Sequence, residues 1–572
     1  MTSSFTTAAS ARTLITSALP YINGIKHLGN LAGSMLPADV HARFRRLRDG
    51  ADKVLFICAT DEHGTPAELG AAAANMDVRA YCDEQHEIQK KIYQDLDLSF
   101  DHFGRSSSPQ NRRLTQAFCD ALEANGYIEE RTTKQVYSID DGRFLPDRYV
   151  EGTCPHCAFP DARGDQCDNC GNLLDPTELI NPRSKISGSH NLEVRDTAHL
   201  FLKLDALQDK VRAWVDSHEN WPHLTKSIAL KWLNEGLNAR SITRDLSWGI
   251  PVTKNGQPRP GFEGKVFYVW FDAPIEYIAA TEEWNANKWE SWWRTDKGAT
   301  DVRYIEFMGK DNVAFHTVNF PATIIGSNQP WKLVDQLKSF NWLNWYGGKF
   351  STSRRRGVFL DQALDILPTD YWRWYLMANA SEGSDTNFTW EQFQTTCNSD
   401  LANILGNFVN RIVKFTHSKF DGKIPDAAPA ALPQLQALLD ELTAQHEAME
   451  FRKAAATTRA IWVMANEYIT EAAPWTAIKT DASAAAIGVR TGLELCVLLA
   501  RIAAPFIPGN ADKIAGIFNL KTADMGWADA TLDKLQPGQS IGDLPPLFAR
   551  IEDDWVTAQK ERFGGSPDAE AA

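Results

Sequence analysis

The sequence lacks an uninterrupted apolar run of about 18 residues, which is the length that a membrane-spanning helix needs. Its N-terminal stretch MTSSFTTAASAR also lacks the long apolar segment of a secretory signal. With 572 residues, of which 43% are hydrophobic, the chain can nevertheless bury several sizeable cores. We therefore expect a multidomain protein of the cytoplasm that has no part in a membrane.

Cysteine and positive charge are also in short supply. Five of the nine cysteines are scattered, while the other four lie within residues 154–170. This distribution excludes a disulfide framework and predicts a metal site in a reducing compartment. The net charge of −14 excludes blanket binding to nucleic acid. Local basic patches at 43–48 and 354–356 still allow a nucleic acid that is held at one place.

The stretch TLITSALPYINGIKHLGN, at residues 13–30, predicts a buried strand, a tight turn and the start of a helix near residue 31. Free backbone N–H groups and the helix dipole favour an anion at such a helix N-terminus. Gly29 allows a ligand to lie close to the backbone, and His27 can hydrogen-bond a phosphate oxygen. The sequence therefore predicts a phosphate site here.

Further strand and helix patterns follow along the chain. Strands are expected at 53–59, 265–271 and 302–308, and a helix at 78–98. Polar residues follow two of these strands, at 60–66 and at 309–312, and ligands of open α/β folds gather at such carboxyl ends. The pattern predicts an α/β fold with a doubly wound parallel sheet of the Rossmann type.

A region of different character begins near residue 131, with a predicted strand at 136–139 and two Cys-x-x-Cys hooks. The hooks consist of Cys154, Cys157, Cys167 and Cys170. Four thiolates suit a tetrahedral zinc ion, and Asn169 and Gly171 favour the tight turns around it. Because sulfur fills all four positions, the zinc is predicted to be structural, with His156 as a bystander.

A second loop with anion-binding chemistry, at 345–356, combines paired glycines, hydroxyl groups, Lys349 and three arginines. These groups are typical of a mobile clamp for a polyphosphate. From Asp361 onward the strand signals vanish, and helix-period apolar positions predict an α-helical bundle. Its helices are expected at 366–380, 391–419, 431–448, 451–473 and 483–506.

Taken together in this order, the motifs resemble the methionyl-tRNA synthetase family of class I aminoacyl-tRNA synthetases over nearly the whole chain. The resemblance is carried by ALPY at 18–21, HLGN at 27–30, the four-cysteine knuckle, YVWFDAP at 268–274, GKD at 309–311 with His316, and KFSTS at 349–353. It implies activation of methionine by ATP, with magnesium, to methionyl-adenylate and pyrophosphate. Transfer to the 3′ end of initiator and elongator methionine tRNA would follow.

The resemblance also implies roles for individual residues. The catalytic residues would be His27, Asn30 and Lys349. ATP would be bound by His27, Gly29, Asn30, Gly309, Asp311, Lys349, Ser351 and Thr352. Methionine would be bound by Ala18, Leu19, Tyr21, Asp61, Trp270, Ala273, Pro274, Tyr277 and His316. Asp61 would take the ammonium group, and aromatic rings would pack on the thioether. The anticodon would be read by Asn403, Asn407 and Trp475.

The implied organisation is a Rossmann-type catalytic domain that an insertion divides into two halves. The halves are expected at 1–130 and 246–340, with the zinc-bearing connective insertion at 131–245. A KMSKS-like loop and stem-contact region would follow at 341–398, an α-helical anticodon-binding domain at 399–540, and a C-terminal tail with a frayed end at 541–572. We expect no large editing domain in the insertion, and a monomeric protein.

Three positions depart from the family pattern. Asn30 stands where the family often has a second His, and Thr352 replaces the second Lys of the KMSKS-type loop. Asn407 stands where the family can place an Arg, one helical turn after Asn403. We expect Lys349 and one of the arginines at 354–356 to compensate for Thr352, because a guanidinium can hold a phosphate with two donors.

Two alternative functions stay open at this point. A class I synthetase for cysteine also uses zinc, but its metal must leave a position for the substrate thiol, whereas four cysteines close the site. An RNA-binding protein without catalysis would explain Asn30 and Thr352, but it would have no need of His27, Asp311 and Lys349. The amino acid that drives ATP–pyrophosphate exchange distinguishes these alternatives.

Overall fold

The computed structural model describes residues 12–565 except 165, 166, 168, 171, 173, 353 and 354. Its first part alternates strands and helices, as the apolar runs predicted. The strands are β1 (Arg12–Ser17), β2 (Val54–Thr60) and β3 (His102–Arg105). The helices are α1 (Leu28–Asn30), α2 (Leu36–Asp49), α3 (Thr65–Ala73), α4 (Val78–Asp95) and α5 (Pro109–Ala124). A π-helical turn, Leu31–Met35, joins α1 to α2, so the helix begins three residues earlier than expected.

Between β3 and β15 the described residues form four antiparallel sheets, two of which have only two strands each. The first strands are β4 (Ile128–Ser138), β5 (Arg143–Phe144), β6 (Val150–Thr153), β7 (Ala162–Arg163), β8 (Ile180–Ser184) and β9 (Leu192–Leu202). Helices α6 (Leu204–Asp216) and α7 (His223–Glu235) follow, and then β10 (Arg240–Ser241), β11 (Thr243–Arg244), β12 (Thr253–Lys254), β13 (Gln257–Pro258) and β14 (Val266–Phe267). The strand expected at 136–139 is thus the end of the much longer β4. One sheet has the strand order β10-β9-β4-β5. The sheet beside the cysteines has the strand order β7-β6-β8.

The chain then returns to the central sheet. The helices of this part are α8 (Val269–Asp272), α9 (Glu276–Trp284), α10 (Glu290–Trp293) and α11 (Phe320–Gly326), and the strands are β15 (Val302–Gly309) and β16 (Gln336–Phe340). The central sheet has the order β16-β15-β1-β2-β3, and all its strands are parallel. The order places the two halves of the predicted Rossmann-type domain side by side, which confirms the doubly wound sheet.

The prediction of a strand at 265–271 is wrong. Only β14 is extended there, and it pairs with β11 instead of joining the central sheet, while Val269–Asp272 forms a helical turn. The aromatic and β-branched residues favour a strand locally, but strand propensity yields to tertiary context. Here the context is the buried carboxylate of Asp272, which bonds to the His63 ring from the first half of the sheet.

Two faces of the central sheet enter two different cores. Along β1, Leu14 packs in the core that holds α5, α6 and α9, while Ile15 packs in a core that continues into the helical bundle. This alternation follows from the two-residue period of side chains along a strand. The bundle and the catalytic sheet therefore share one apolar interior.

Beyond β16 the chain forms a small sheet and then the helical bundle. The sheet has β17 (Leu343–Trp345), β18 (Gly348–Lys349) and β19 (Thr386–Phe388), with helices α12 (Leu360–Ile366) and α13 (Thr369–Ala378) between β18 and β19. The prediction of no strand after Asp361 is therefore wrong at β19. This short strand pairs with β17, which lies some forty positions earlier in the chain, so no local signal marks it.

The five predicted bundle helices are present with shifted ends. The bundle consists of α14 (Trp390–Thr396), a π-helical segment at Cys397–Gly406, α15 (Asn407–Lys419), α16 (Leu435–Glu447), α17 (Phe451–Ala472), α18 (Pro474–Ala477), α19 (Ala482–Ala503) and α20 (Pro508–Gly516). A last helix, α21 (Asp553–Phe563), packs Trp555 on Trp390. The end of the tail that was expected to fray, 566–572, lies outside the described residues.

One described helix, α19, is long and apolar enough to cross a membrane by length and composition. Most of its apolar stretch is buried among the other bundle helices, which is the situation of a core helix.

Candidate functional site

The two halves of the catalytic region meet at the carboxyl edge of the central sheet. Ser17 at the end of β1 pairs with Phe307 in β15, and the Ala18 N–H donates to the Phe307 carbonyl at 2.8 Å. Both the turn after β1 and the Gly309 turn after β15 therefore begin at one edge. Ligands of open α/β sheets bind at such an edge.

His27 caps the helix that begins at this edge. Its Nδ1 accepts a hydrogen bond from the Asn30 N–H at 3.3 Å, and the Asn30 side-chain oxygen accepts from the His27 N–H at 3.2 Å. This reciprocal arrangement is a capping box, in which a His and an Asn replace the usual residues. Since Nδ1 is the acceptor, the ring proton lies on Nε2, which can donate to a ligand.

The second loop covers His27 from the other side. The Phe350 ring stacks on the His27 ring with a centroid distance of 4.9 Å, and Phe359 packs edge-on at 6.2 Å. A Cβ on Gly29 would lie 3.1 Å from His27 Nδ1 and 3.4 Å from Phe350, so a larger residue would crowd the stack. Gly29 therefore belongs to this contact as well as to the helix start.

Lys26, next to His27, is buried and hydrogen-bonds the Asn23 oxygen at 3.0 Å. Burial lowers the pKa of Lys26 to about 7, against the opposing effect of the Asp61 carboxylate. Burial and the Lys26 charge together lower the pKa of His27 to about 3, so His27 is neutral at physiological pH. His27 can thus bind a phosphate as a hydrogen-bond donor but not as a cation.

One tryptophan, Trp342, contacts both the GKD turn after β15 and the second loop, at 345–356. A Cβ on Gly309 would lie 2.5 Å from the Asp311 carboxylate. Any other residue at position 309 would therefore displace that carboxylate. The Lys310 and Lys349 ammonium groups lie 4.4 and 4.7 Å from the centroid of the Trp342 ring. Lys349 itself is exposed, as a group that meets a soluble ligand must be.

The remaining predicted residues of the second loop are Ser351 and Thr352. Ser351 pairs through its backbone with Arg356, and the Thr352 carbonyl accepts from the Arg355 N–H at 3.2 Å. The Arg356 guanidinium donates to the Trp345 carbonyl at 3.1 Å. Ser353 and Arg354 lie outside the described residues.

Tyr21 and Asp61 join the two turns of the first half. The Ile22 N–H donates to the Asp61 carbonyl at 2.8 Å, and the Asp61 N–H donates to the Pro20 carbonyl at 2.9 Å. Burial of the hydroxyl and the nearby Asp61 carboxylate raise the pKa of Tyr21 to about 12, although 40% of the residue's surface is exposed. The Trp270 indole opposes this rise through its interaction with the Tyr21 hydroxyl.

The Asp61 carboxylate is buried, and its Oδ1 atom has no hydrogen-bond partner among the described residues. Burial raises its pKa well above the usual value, and the carboxylates of Asp272 and Glu62 add to this effect. An unpartnered buried carboxylate oxygen is costly unless a ligand satisfies it. Asp61 is therefore suited to a cationic group of a ligand.

Behind Asp61 lie Tyr277 and His316, which are both buried. His316 Nδ1 contacts the Asn312 carbonyl at 3.0 Å, and its Nε2 contacts the Tyr277 hydroxyl at 3.0 Å. Burial lowers the pKa of His316 to about 4, so the ring is neutral. It therefore donates from Nδ1 and accepts the Tyr277 proton at Nε2.

The other predicted pocket residues surround these groups. Trp270 packs edge-on against Phe315 with a centroid distance of 5.2 Å. Ala273 and Pro274 are buried at the end of α8, and Ala18 and Leu19 pack on the adjacent cores. A cavity of about 320 Å³, lined by Trp270, Tyr268 and Arg244 among others, opens beside them.

The four cysteines form a compact cluster. Their sulfur atoms all lie within 4.8 Å of one another. The Cys157–Cys167 and Cys154–Cys170 sulfur distances are 3.6 and 3.9 Å. A tetrahedral zinc with Zn–S bonds of about 2.3 Å requires sulfur separations of about 3.8 Å, so the cluster fits zinc. The exposed His156 contributes its backbone N–H to Cys154, while Gly171 lies outside the described residues.

In the bundle, the predicted residues fall into two places. The Arg411 guanidinium lies over the Trp475 ring, 4.3 Å from its centroid, and Trp475 packs edge-on against Phe415. Asn407 is exposed one turn before Arg411, at the start of α15. Asn403 instead lines a groove of about 530 Å³ between the π-helical segment and α17. In the part of the chain that the structure describes, no hydrogen bond or ring contact joins Asn403 to Trp475.

Several site residues escaped the sequence patterns. His63 and Asp272 bond to each other across the two halves, and Lys26, Trp342 and Arg411 contact predicted residues. Arg411 had a usable signal, since it lies four positions after Asn407 and thus on the same helix face. Lys26 adjoins His27 in the sequence but carries no motif of its own, and the other three depend on contacts between distant segments.

Comparison with known proteins agrees with this arrangement. The family model of class I tRNA synthetases (M) matches residues 13–413, and that of the anticodon binding domain of methionyl tRNA ligase matches 421–568. The Methionine--tRNA ligase of Caulobacter sp. (strain K31) is 65% identical over 97% of this chain and 100% of its own length. That of Maricaulis maris (strain MCS10) is 64% identical over 98% and 100%.

Solved structures support the fold. Mycobacterium tuberculosis methionyl-tRNA synthetase in complex with methionyl-adenylate aligns with a TM-score of 0.74 at 23% identity, over 94% of this chain and 98% of that chain. On the two matched models and the high identity of full-length relatives, this chain belongs to the methionine--tRNA ligase family of class I tRNA synthetases.

Proposed function

We propose that this chain activates methionine with ATP and transfers it to the 3′ end of initiator and elongator tRNA(Met). In the first step a methionine carboxylate oxygen bonds to the α-phosphorus, and the bond from that phosphorus to pyrophosphate breaks. In the second step the tRNA ribose hydroxyl attacks the carbonyl carbon, and AMP leaves. The observation that carries the proposal is the unpartnered Asp61 oxygen at the sheet edge that also holds the helix start and the GKD turn.

The phosphate-binding roles follow from the hydrogen-bond geometry. We propose that His27 donates from Nε2 to a phosphate oxygen and that the Asn30 amide group donates beside it, because the Asn30 oxygen is already used in the cap. Gly309 and Asp311 would hold the adenosine ribose. Lys349, with Ser351 and Thr352 in its loop, would bind the pyrophosphate side. These donors are in place before the reaction, which lowers the cost of stabilising the transition state.

For methionine, we propose that Asp61 binds the ammonium group and that the aromatic residues bind the thioether. His316 is engaged at both nitrogens, so its role would be to fix the Tyr277 ring against the side chain of the substrate. Trp270 and Tyr21 would complete the pocket with Ala18, Leu19, Ala273 and Pro274. A polarisable sulfur packs favourably on such rings.

We propose that the four cysteines hold one structural zinc ion. When bound, zinc would link the two hooks and fix the small sheet β7-β6-β8, and it would supply no open coordination position. This closed site disfavours the alternative of a cysteine-specific enzyme. Magnesium would accompany ATP at the phosphates.

For tRNA, we propose that the bundle reads the anticodon through Trp475, Asn407 and Arg411, with Asn403 at the nearby groove. A base that stacks on Trp is worth about 1–3 kcal/mol. The proposal also includes the domain boundaries given above from the sequence, a monomeric state and a cytoplasmic location.

Amino-acid-dependent ATP–pyrophosphate exchange tests the function. Methionine is expected to drive exchange, while cysteine is not, and methionine tRNA is expected to be charged. Arg411→Ala is expected to weaken tRNA charging about tenfold with exchange unchanged. No exchange with any amino acid, together with tight tRNA binding, would favour the non-catalytic alternative.

A further inference from the structure

Trp342 lies where the two phosphate-side lysines meet. It precedes β17 and is 37% exposed, so one part of its ring is open to solvent. The Lys310 and Lys349 ammonium groups both lie within 5 Å of its ring centroid, at 4.4 and 4.7 Å. The two lysines come from different segments, since Lys310 follows β15 and Lys349 ends β18. The indole ring is thus the element that they share.

The backbone at Trp342 is held in place by the loop before β19. The Trp342 backbone N–H donates to the Asp385 carboxylate at 2.9 Å, and the Thr386 N–H donates to the Trp342 carbonyl at 3.0 Å. The same Asp385 oxygen accepts from the Lys310 ammonium at 2.6 Å. One carboxylate therefore binds both the backbone that carries the indole ring and the first lysine.

Two ammonium groups repel each other, and the negative face of an indole ring offsets part of this repulsion. An anion with several oxygens, such as pyrophosphate, can contact two cations that both lie against one ring. We propose that Trp342 is a positioning residue that pairs Lys310 with Lys349 as a joint binding site for the pyrophosphate part of ATP. This inference rests on the proposed function. It also gives a source for the charge that Thr352 does not carry.

Kinetics of ATP–pyrophosphate exchange with varied ATP and varied methionine test this role. Trp342→Leu is expected to raise the KM for ATP about tenfold and to leave the KM for methionine within about twofold. The KM for pyrophosphate, which is itself a substrate of the exchange, is expected to rise in this variant as well. Trp342→Phe, which keeps a ring face, is expected to restore most of the ATP affinity.

Lys310→Met provides the second variant. If Trp342 acts through the lysines, Trp342→Leu adds less than about threefold to the KM for ATP when Lys310 is already Met. The half-buried Trp289, which stacks on Trp331, supplies the matched control. Trp289→Leu is expected to leave both KM values unchanged.

A full tenfold effect of Trp342→Leu in the Lys310→Met background would overturn the proposal, as would an equal rise in both KM values. Should Trp342→Leu not fold, the Phe variant and Lys310→Met decide the question, and wild-type ATP affinity in Lys310→Met overturns it. Methionine-dependent exchange by the wild type is measured first. The proposed function and the role of Trp342 can therefore fail separately.

Discussion

At the scale of single residues, the site is built from side chains whose charge the protein controls through burial. His27 and His316 are held neutral, and the Oδ1 atom of the Asp61 carboxylate is left without a hydrogen-bond partner. In the proposed function, a neutral His27 donates one defined hydrogen bond to a phosphate, while the formal charge comes from the exposed Lys349. The proposal thus divides recognition between directed donors at the helix start and exposed cations at the rim.

Asp61→Asn is expected to raise the KM for methionine about 10- to 100-fold, because a hydrogen bond to a charged group is worth about 1.5–3 kcal/mol. The KM for ATP should change little, and steady-state exchange kinetics measure both. The exposed Asp52 offers a control, since Asp52→Asn leaves the site untouched. A variant with the wild-type KM for methionine would remove Asp61 from the binding site.

A second residue-scale prediction concerns Glu306 in β15. It is buried, bonds to the Tyr304 hydroxyl, and burial raises its pKa to about 8. Between pH 4.5 and 8 the unfolded chain releases this proton while the native chain keeps it. Stability from this group is therefore full below pH 4.5 and is lost as the pH rises to 8, by up to about 1.4 kcal/mol per pH unit.

Glu306→Gln should consequently flatten the dependence of melting temperature on pH in that window, because the amide resembles the protonated acid and does not titrate. Calorimetry at several pH values measures the effect, with the exposed Glu290→Gln as the control. An unchanged slope in Glu306→Gln would show that Glu306 is ionised in the native protein.

At the scale of elements, the small sheet β7-β6-β8 has an apolar core that is separate from the two large ones. Its core consists of few residues and includes two of the four clustered cysteines, Cys154 and Cys167. A small apolar cluster cannot by itself offset the entropy of ordering these strands, so a metal ion would have to supply the difference.

Cys157→Ser is expected to reduce the zinc content from about one ion per chain to near zero, with new proteolytic cleavage between residues 150 and 184. Atomic absorption and limited proteolysis followed by mass spectrometry are the measurements. His156→Ala is the matched control, because His156 lies in the same hook and its exposed ring is outside the cluster. Zinc retained by Cys157→Ser, or lost from His156→Ala, would contradict the four-cysteine site.

At the scale of the whole molecule, the catalytic domain and the bundle are connected by a buried ion pair. The Arg373 guanidinium lies 2.6 Å from the Asp39 carboxylate of α2, and both side chains are completely buried. Arg373 also donates to the Phe506 and Pro505 carbonyls at the end of the bundle helices. The bundle is therefore fixed to the sheet by contacts that involve three distant segments.

Arg373→Met should lower the melting temperature by several degrees, since removing one partner of a buried pair costs about 3–5 kcal/mol. The charging of tRNA should fall more than ATP–pyrophosphate exchange, because only charging needs the bundle and the sheet in register. Scanning calorimetry and the two assays measure this, with the mostly exposed Arg113→Met as the control. A variant that melts like the wild type would show that the pair is not a structural link.

Much of this could be read from the sequence, because the decisive signals are local. Apolar runs located β1, β2 and β15, helical spacing located the bundle, and the spacing of four cysteines located the cluster, whose sulfur atoms the structure brings within 4.8 Å. These patterns reflect how neighbouring residues share a face or a turn, which the fold then preserves. The motifs for nucleotide and methionine were likewise contiguous, and the family followed from them.

Only the tertiary structure decided the features that join distant segments. The helical turn at Val269–Asp272 replaced an expected strand because His63 bonds to Asp272, and β19 exists because β17 offers it an edge. The position of Lys310 and Lys349 on Trp342 belongs to the same class. Local order is determined by adjacent residues, whereas contact between remote residues depends on how the whole chain packs, and no short stretch of sequence contains that information.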